Sequence, residues 1–123
     1  MATDILKGLT MGQEAKEFFE KFKKDMGKMK EQAPDVVNGF GGLFSKIMQD
    51  GALSLREKEL VALGIGVSQR CMPCIRLHVQ KCLDAGATKE QILEAASVAV
   101  MMGGGPAYTH IPAVIDALEA LTD

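Results

Sequence analysis

The chain of 123 residues is 47% hydrophobic and 24% charged, which suits one globular domain with its own core and argues against a disordered chain. Fourteen basic and sixteen acidic residues, no Trp and one Tyr argue against a nucleic-acid partner. No apolar run is long enough to span a bilayer and the N-terminus lacks a signal-peptide pattern, so we expect a cytoplasmic protein without a membrane partner.

The first helix is predicted between residues 12 and 33, where apolar residues recur at three- and four-residue steps among Lys and Glu. The stripe comprises Phe18, Phe22, Met26 and Met29. We expect it to face the core or an interface, and Pro34 to end the helix. The next segment, DVVNGFGGLFSKIMQDG, is apolar with interior glycines and predicts a looser helix closed by Gly51.

A capping box of Ser54 with Glu57 predicts the start of the third helix, LREKELVALGIGVSQR. This helix is largely apolar and should be buried. Its Gly64 and Gly66 suggest a close backbone approach to a neighbouring helix.

A second capping box, Thr88 with Gln91, opens the helix KEQILEAASVAVMM after Gly86. Because this segment is apolar nearly all round, we expect it in the core or in a subunit interface. The glycines at residues 103 to 105 should end it.

Pro106 suits the first turn of a final helix through Leu121, which Pro112 should bend or break. Tyr108 and His110, near its start, are expected only to cap or to pack. No strand pattern is present in the sequence.

The sequence therefore predicts an all-α domain of about six helices. We expect an N-terminal helical extension over residues 1–34 and the main domain over residues 35–123, in one globular unit. The many Ala, Val and Met residues of the apolar helices favour a homo-oligomer.

All three cysteines and one of the two histidines fall within the stretch RCMPCIRLHVQKCLDAG, which begins at Arg70. Cys71 and Cys74 stand where a helix begins, and Pro73 suits its first turn. Unpaired N–H groups and the helix dipole favour a thiolate there, and Arg70 and Arg76 add positive charge. In a reducing compartment this spacing indicates a redox-active or metal-binding pair rather than a permanent disulfide.

His78 follows Cys74 by four residues, so a base stands on the same helix face as a nucleophile. Cys82 continues this face without a partner, and we expect it to be a buried core thiol. Glu59, on the preceding apolar helix, is a candidate to orient His78, because a buried carboxylate needs a hydrogen-bonding partner. The alternative is an exposed Glu59 paired with a Lys or an Arg.

Glu59, Cys71, Cys74 and His78, followed by LDAGATKEQILEAASVAVMMGGGPAY, resemble the AhpD-like branch of the carboxymuconolactone decarboxylase family over most of the chain. The resemblance implies an all-helical fold in homo-oligomers, either trimers or hexamers, with a cysteine pair that cycles between dithiol and disulfide. It also implies roles: Cys74 attacks, Cys71 resolves, His78 relays the proton, and Glu59 orients or charges His78.

The activity implied is that of a peroxiredoxin-type oxidoreductase in antioxidant defence. A Cys74 thiolate attacks a peroxide, and Cys71 condenses the resulting sulfenic acid to a disulfide. A lipoylated partner protein or a thioredoxin-like reductant resets the pair, and the same chemistry serves reduction of a disulfide substrate. We expect no cofactor. Pro73 stands where AhpD has a second relay histidine, which argues against efficient peroxidase activity.

Three other interpretations stay open. Cys71, Cys74 and His78, with Glu59 as a fourth ligand, could hold zinc in a non-catalytic or scaffold protein, although we expect no metal. The two cysteines could also be small buried side chains without chemistry. Finally, a lactone decarboxylase with incidental cysteines would keep its activity when both thiols are replaced.

Overall fold

The structure is a computed structural model that describes residues 12 to 122, and every regular element in this part of the chain is a helix. The elements are α1 (Gln13–Gln32), α2 (Pro34–Ile47), α3 (Leu55–Ser68), α4 (Met72–Asp84), α5 (Lys89–Gly103), α6 (Gly105–Tyr108) and α7 (Ile111–Thr122). Over the described residues, α6 is a single turn and the six other helices are longer. The predicted all-α fold is thus confirmed. Residues 1 to 11 of the predicted N-terminal extension lie outside the described residues, and the division into an extension and a main domain stays a prediction.

Both predicted capping boxes are present. The Ser54 hydroxyl accepts the backbone N–H of Glu57 at 3.1 Å, and the Ser54 N–H donates to the Glu57 carboxylate at 2.9 Å. Thr88 and Gln91 exchange the same two bonds at 3.1 and 2.9 Å. These bonds satisfy N–H groups that a helix start leaves without a partner. α3 and α5 therefore begin where the sequence predicts.

The end of α2 differs from the prediction, because the helix stops at Ile47 and Gly51 lies in the loop beyond it. The cause is the ammonium group of Lys58 on α3. It donates to the backbone carbonyls of Ile47 at 2.9 Å and of Gln49 at 2.8 Å. A cation on the last carbonyls of a helix satisfies them and suits the negative end of the helix dipole.

The final helix is broken, as Pro112 predicts. The single turn of α6 ends at Tyr108, and α7 starts again at Ile111 with Pro112 in its first turn. Proline lacks an N–H and clashes with the carbonyl four residues earlier, so it cannot continue a helix but can open one. His110 lies in the break, and its Nδ1 donates to the carbonyl of Pro106 at 2.7 Å. Tyr108 is exposed.

The core lies between α3, α4, α5 and α7. α3 packs against both α4 and α5, while α7 packs against α4 and α1. The largest fully buried side chains are Leu63, Val67, Ile75, Val79, Cys82, Ile92, Val114 and Leu118. Each aliphatic side chain buried in this way contributes about 1.5–3 kcal/mol of hydrophobic stabilisation. The α3–α4 junction, which carries the cysteine pair, is therefore held by two of the core helices.

α1 is attached to the core through a carboxylate on α7. The Asp116 side chain is buried and accepts the N–H groups of Gly12 and of Ala15, the latter at 3.1 Å. Gly12 precedes α1 with a positive φ of 94° and offers no capping side chain. Asp116 thus acts as the cap of α1 from the far end of the chain, where its negative charge suits the helix N-terminus.

Two helices expose one apolar face each: α3, which was expected to be buried, and α5, which was expected in the core or in a subunit interface. Val61 and Ile65 of α3 are about half exposed, and Val98, Met101 and Met102 of α5 are more exposed still. The opposite faces of both helices supply the core. The expectation of a wholly buried α3 is therefore wrong. None of the helices in residues 12 to 122 has the length and apolar character that crossing a membrane requires.

Candidate active site at the start of helix α4

The turn that joins α3 to α4 places the cysteine pair. The N–H of Cys71 donates to the carbonyl of Gly66 and the N–H of Arg70 to the carbonyl of Val67, both at 3.0 Å. This pair of bonds is a Schellman motif, which closes a helix with one left-handed residue. Arg70 holds that position with φ 57°, where glycine is the usual residue. The chain reverses there, and Cys71 becomes the N-cap of α4.

Cys71 and Cys74 form a disulfide across the first turn of α4, with their Cα atoms 5.2 Å apart. The Sγ of Cys71 also accepts the backbone N–H of Cys74 at 3.2 Å. Both cysteines are half-buried, and Pro73 is exposed between them in the first helical turn, as predicted. The N–H donor and the helix N-terminus favour negative charge on the Cys71 sulfur when the disulfide opens.

Gly66 brings α3 close to this turn. A Cβ added at Gly66 would lie 3.1 Å from the Cβ of Cys74. The close backbone approach predicted for this glycine is therefore found, and the neighbour is a residue of the cysteine pair. Because Gly66 also accepts the N–H of Cys71, it contacts both cysteines. Its position in the site could not be read from the sequence, where it was only one of two glycines in an apolar helix.

Glu59 and His78 are brought together from two helices. The Nδ1 of His78 lies 2.7 Å from Oε1 of Glu59. Glu59 is 3% exposed, so the alternative of an exposed carboxylate paired with a Lys or an Arg is wrong. The carboxylate orients the ring, and since Nδ1 is engaged, Nε2 is the nitrogen left to exchange a proton with a thiol or with solvent. His78 stands one helical turn after Cys74 on α4.

Cys82 continues the same face of α4 into the core and is fully buried. Burial, and secondly the nearby Glu59 carboxylate, raise the pKa of the Cys82 thiol to about 12. The thiol stays protonated at neutral pH and is a poor nucleophile. The prediction of a buried core thiol is confirmed.

A cavity of about 250 Å³ lies beside Glu59, between α2, α3 and α4. Glu59, Lys81 and Asp84 give it a charged wall, and Phe44 and Met48 close it on the α2 side. Lys81 is held there by its ammonium group, which lies 4.7 Å from the ring centroid of Phe44. The Glu59–His78 pair is thus bordered by a polar space on the side of α2.

The two arginines of the motif have different surroundings. The guanidinium of Arg76 lies over the ring of Phe18, 5.2 Å from its centroid, and 3.9 Å from the carboxylate of Glu14. Its charge is thus directed towards α1 rather than towards the cysteines. Arg70 is exposed and directly precedes Cys71. Of the two, Arg70 is the arginine adjacent to the disulfide.

Fold and site together define a helical protein with a Cys-x-x-Cys disulfide at a helix start and a buried Glu–His pair beside it. Residues 34 to 121 match the model of the carboxymuconolactone decarboxylase family. The chain belongs to this family, and its resemblance to the AhpD-like members is confirmed.

Known relatives agree with this assignment. A crystal structure of a carboxymuconolactone decarboxylase family protein from Legionella pneumophila aligns with a TM-score of 0.84 at 30% identity, covering 89% of this chain and 98% of the other. A family protein from Thermotoga maritima, whose description suggests involvement in an antioxidative response, gives 0.64 at 34% identity over 69% and 88%. An uncharacterised protein from the cox locus of Paracoccus denitrificans is 33% identical, over 78% of this chain and 86% of its own.

Proposed function

We propose that this protein is a thiol-dependent oxidoreductase of the AhpD-like type, which cycles Cys71 and Cys74 between dithiol and disulfide in antioxidant defence. The observation that carries the proposal is the disulfide at the start of α4, one turn before a histidine held by a buried carboxylate. The involvement in an antioxidative response that is suggested for the Thermotoga maritima relative supports a peroxide as the oxidant.

In the oxidative half-reaction, the Cys74 thiolate attacks one peroxide oxygen, and the O–O bond breaks. The departing oxygen takes a proton through His78, and Cys74 becomes a sulfenic acid. The Cys71 thiol then attacks the Cys74 sulfur, so that an S–S bond forms and water leaves. Two electrons pass from the two thiols to the peroxide. Glu59 keeps the imidazole of His78 in the orientation that this proton transfer requires.

In the reductive half-reaction, an external dithiol attacks the Cys74 sulfur and forms a mixed disulfide. Cys71 leaves as a thiolate, and the N–H of Cys74, which already donates to its sulfur, stabilises the negative charge there. The second thiol of the reductant then releases Cys74. A lipoyl group on a partner protein or a thioredoxin-like protein fits this role, in a reducing compartment such as the cytoplasm.

The zinc alternative lacks support from the geometry. Within residues 12 to 122, no three or more His, Cys, Asp or Glu side chains come together so as to hold a metal ion. The decarboxylase alternative rests on the family name, and it differs from the proposal in one testable respect. Its activity would survive the loss of both Cys71 and Cys74.

Self-association into trimers or hexamers is part of the proposal. The exposed apolar faces of α3 and α5 border a common groove of about 430 Å³. Its lining is almost wholly apolar and includes Val61, Ile65, Val98 and Met102. Exposed apolar surface of this kind marks sites of protein–protein contact. A second copy of the chain on this groove would shield it from water.

The experiment that tests the proposed function is oxidation of dihydrolipoamide by hydrogen peroxide with catalytic amounts of the protein. We expect turnover in the parent, and none in Cys74→Ser or Cys71→Ser, because each lacks one sulfur of the disulfide. Cys82→Ser is the matched control, since it removes a buried thiol outside the pair, and it should retain turnover. Activity that survives in both Cys71→Ser and Cys74→Ser would refute the proposal.

A further inference from the structure

α2 carries an apolar face that nothing in the described chain covers. The helix lies entirely within the described residues, and none of its side chains is buried. It is attached to the rest of the molecule along one edge, where it packs against α1, where Phe44 lies beneath Lys81, and where the Lys58 ammonium holds its C-terminal end. The opposite edge points to solvent.

The exposed residues form a regular stripe along α2. Four large apolar side chains each expose more than half of their surface, namely Val36, Phe40, Leu43 and Ile47. Their spacing of four, three and four residues is the pattern by which two helices pack side chains between each other in a coiled coil. Apolar residues on the surface of a monomeric protein are usually scattered, and a continuous exposed stripe of this kind marks a site of protein–protein contact.

A second row of residues runs beside the stripe at the same spacing and holds Asp35, Gly39, Gly42 and Lys46. Asp35 and Lys46 are the only charged residues of α2, and they stand in its first and last turns. When two copies of α2 pair antiparallel, Asp35 of each faces Lys46 of the other. Gly39 and Gly42 then meet near the centre, where added Cβ atoms would find open space in the single chain.

We propose that α2 pairs antiparallel with α2 of a second copy of this chain about a two-fold axis, using the stripe Val36, Phe40, Leu43 and Ile47. In a parallel pair, each row would instead face the other flank of the partner helix, which holds Val37, Gly41 and Phe44, so that Asp35 and Lys46 would meet no opposite charge. In a two-fold pair both copies use the same patch, so the patch must be complementary to itself. The stripe with Asp35 at one end and Lys46 at the other meets this requirement.

The pairing also bears on the candidate active site. Phe44 and Met48 form the wall of the cavity that borders Glu59. In the single chain, the position of this wall depends on α2 and on the short segment after it, and α2 contacts the rest of the molecule along one edge only. A second α2 packed on the outer stripe would hold the first α2 from both sides. It would thereby also fix the positions of Phe44 and Met48, and with them the shape of the cavity beside Glu59. The pairing does not depend on the redox chemistry of Cys71 and Cys74. It does select the hexamer over the trimer for the proposed assembly, because a two-fold pair requires an even number of copies.

The test is the mass in solution, by gel filtration with light scattering, of the parent and of two variants of α2. The parent should be an even multiple of the 13.2 kDa chain. Leu43→Lys places a charge within the stripe of each copy and should halve that mass. Asn38→Lys adds the same charge on the opposite face of the same helix, and should keep the parent mass.

Charge reversal tests the antiparallel direction. Asp35→Lys and Lys46→Asp should each lower the mass, because every contact then joins like charges, and mixing the two variants should restore it. A parent that is monomeric or an odd multiple of the chain would overturn the proposal, as would a Leu43→Lys variant with the parent mass. An equal loss in Asn38→Lys would also overturn it. If both reversals keep the parent mass, the antiparallel register is wrong.

Discussion

Replacing Gly66 by alanine should disturb the contact between α3 and the cysteine pair. The added Cβ would lie 3.1 Å from the Cβ of Cys74 and 3.5 Å from its carbonyl carbon. Carbon atoms in favourable contact are about 3.5–4.0 Å apart, so the two helices must separate by roughly 0.5 Å. Crowding of this kind in a packed core costs about 1–3 kcal/mol. Alanine also raises helix propensity by about 1 kcal/mol over glycine, which offsets part of that cost.

Gly27→Ala is the matched control, because Gly27 lies inside α1 and an added Cβ there meets nothing within 4 Å. It gains the same propensity without crowding and should stabilise the protein by up to about 1 kcal/mol. The assay is urea unfolding of both variants in the reduced state. Gly66→Ala should be less stable than Gly27→Ala by about 1–3 kcal/mol. Equal stability of the two variants would refute the close packing of α3 on Cys74.

Three further predictions concern single side chains. Glu59→Gln keeps the size of the residue but removes the charge that orients His78. Oxidation of the dithiol by peroxide, followed by rapid-quench alkylation, should therefore slow by roughly 100-fold. A rate equal to that of the parent would show that the carboxylate has only a structural role. Arg70→Gly relieves the left-handed backbone and should change the free energy of unfolding by about 0 to +1 kcal/mol, and a clear loss of stability would contradict the Schellman turn. Cys82 ionises near pH ~8.5 in the unfolded chain but only at about 12 in the folded protein. The folded state therefore binds the extra proton between these values, so stability falls there by up to about 1.4 kcal/mol per pH unit as pH rises. Between about pH 8 and about pH 10, the free energy of unfolding measured in urea should fall less in Cys82→Ala than in the parent. An equal fall in both proteins would contradict the raised pKa of Cys82.

The features that the sequence predicts well are those set by neighbouring residues. The capping boxes of Ser54 and Thr88 involve partners three residues away, so their bonds form in any context where the helix forms. The position of Cys71 and Cys74 at a helix start follows in the same way from Pro73 and the turn before it. The Glu59–His78 contact was only a candidate, since these residues lie on different helices and their approach depends on how α3 packs on α4.

Two of the three features that escaped prediction depend on more distant parts of the chain. Asp116 caps α1 across about a hundred residues, and nothing near Gly12 in the sequence indicates it. Lys58 ends α2 from the next helix, so Gly51 was the better local candidate for that end. Arg70 stands in a conformation that local rules assign to glycine, and only the bonds of the turn reveal it. For Asp116 and Lys58 a tertiary contact overrides a local preference, whereas Arg70 is held by hydrogen bonds between residues of the turn itself.

Reversible oxidation of Cys71 with Cys74 can be followed directly by intact mass after mild peroxide treatment and thiol alkylation. Zinc is quantified on the untreated sample, and Cys71→Ser is run in parallel. Peroxide should protect two thiols of the metal-free parent from alkylation, and a dithiol should make them reactive again. In Cys71→Ser, Cys74 should stop at a sulfenic acid or overoxidise. If both thiols of the metal-free parent are still alkylated after peroxide treatment, the pair is not redox-active. If stoichiometric zinc protects them, the pair is a metal site instead.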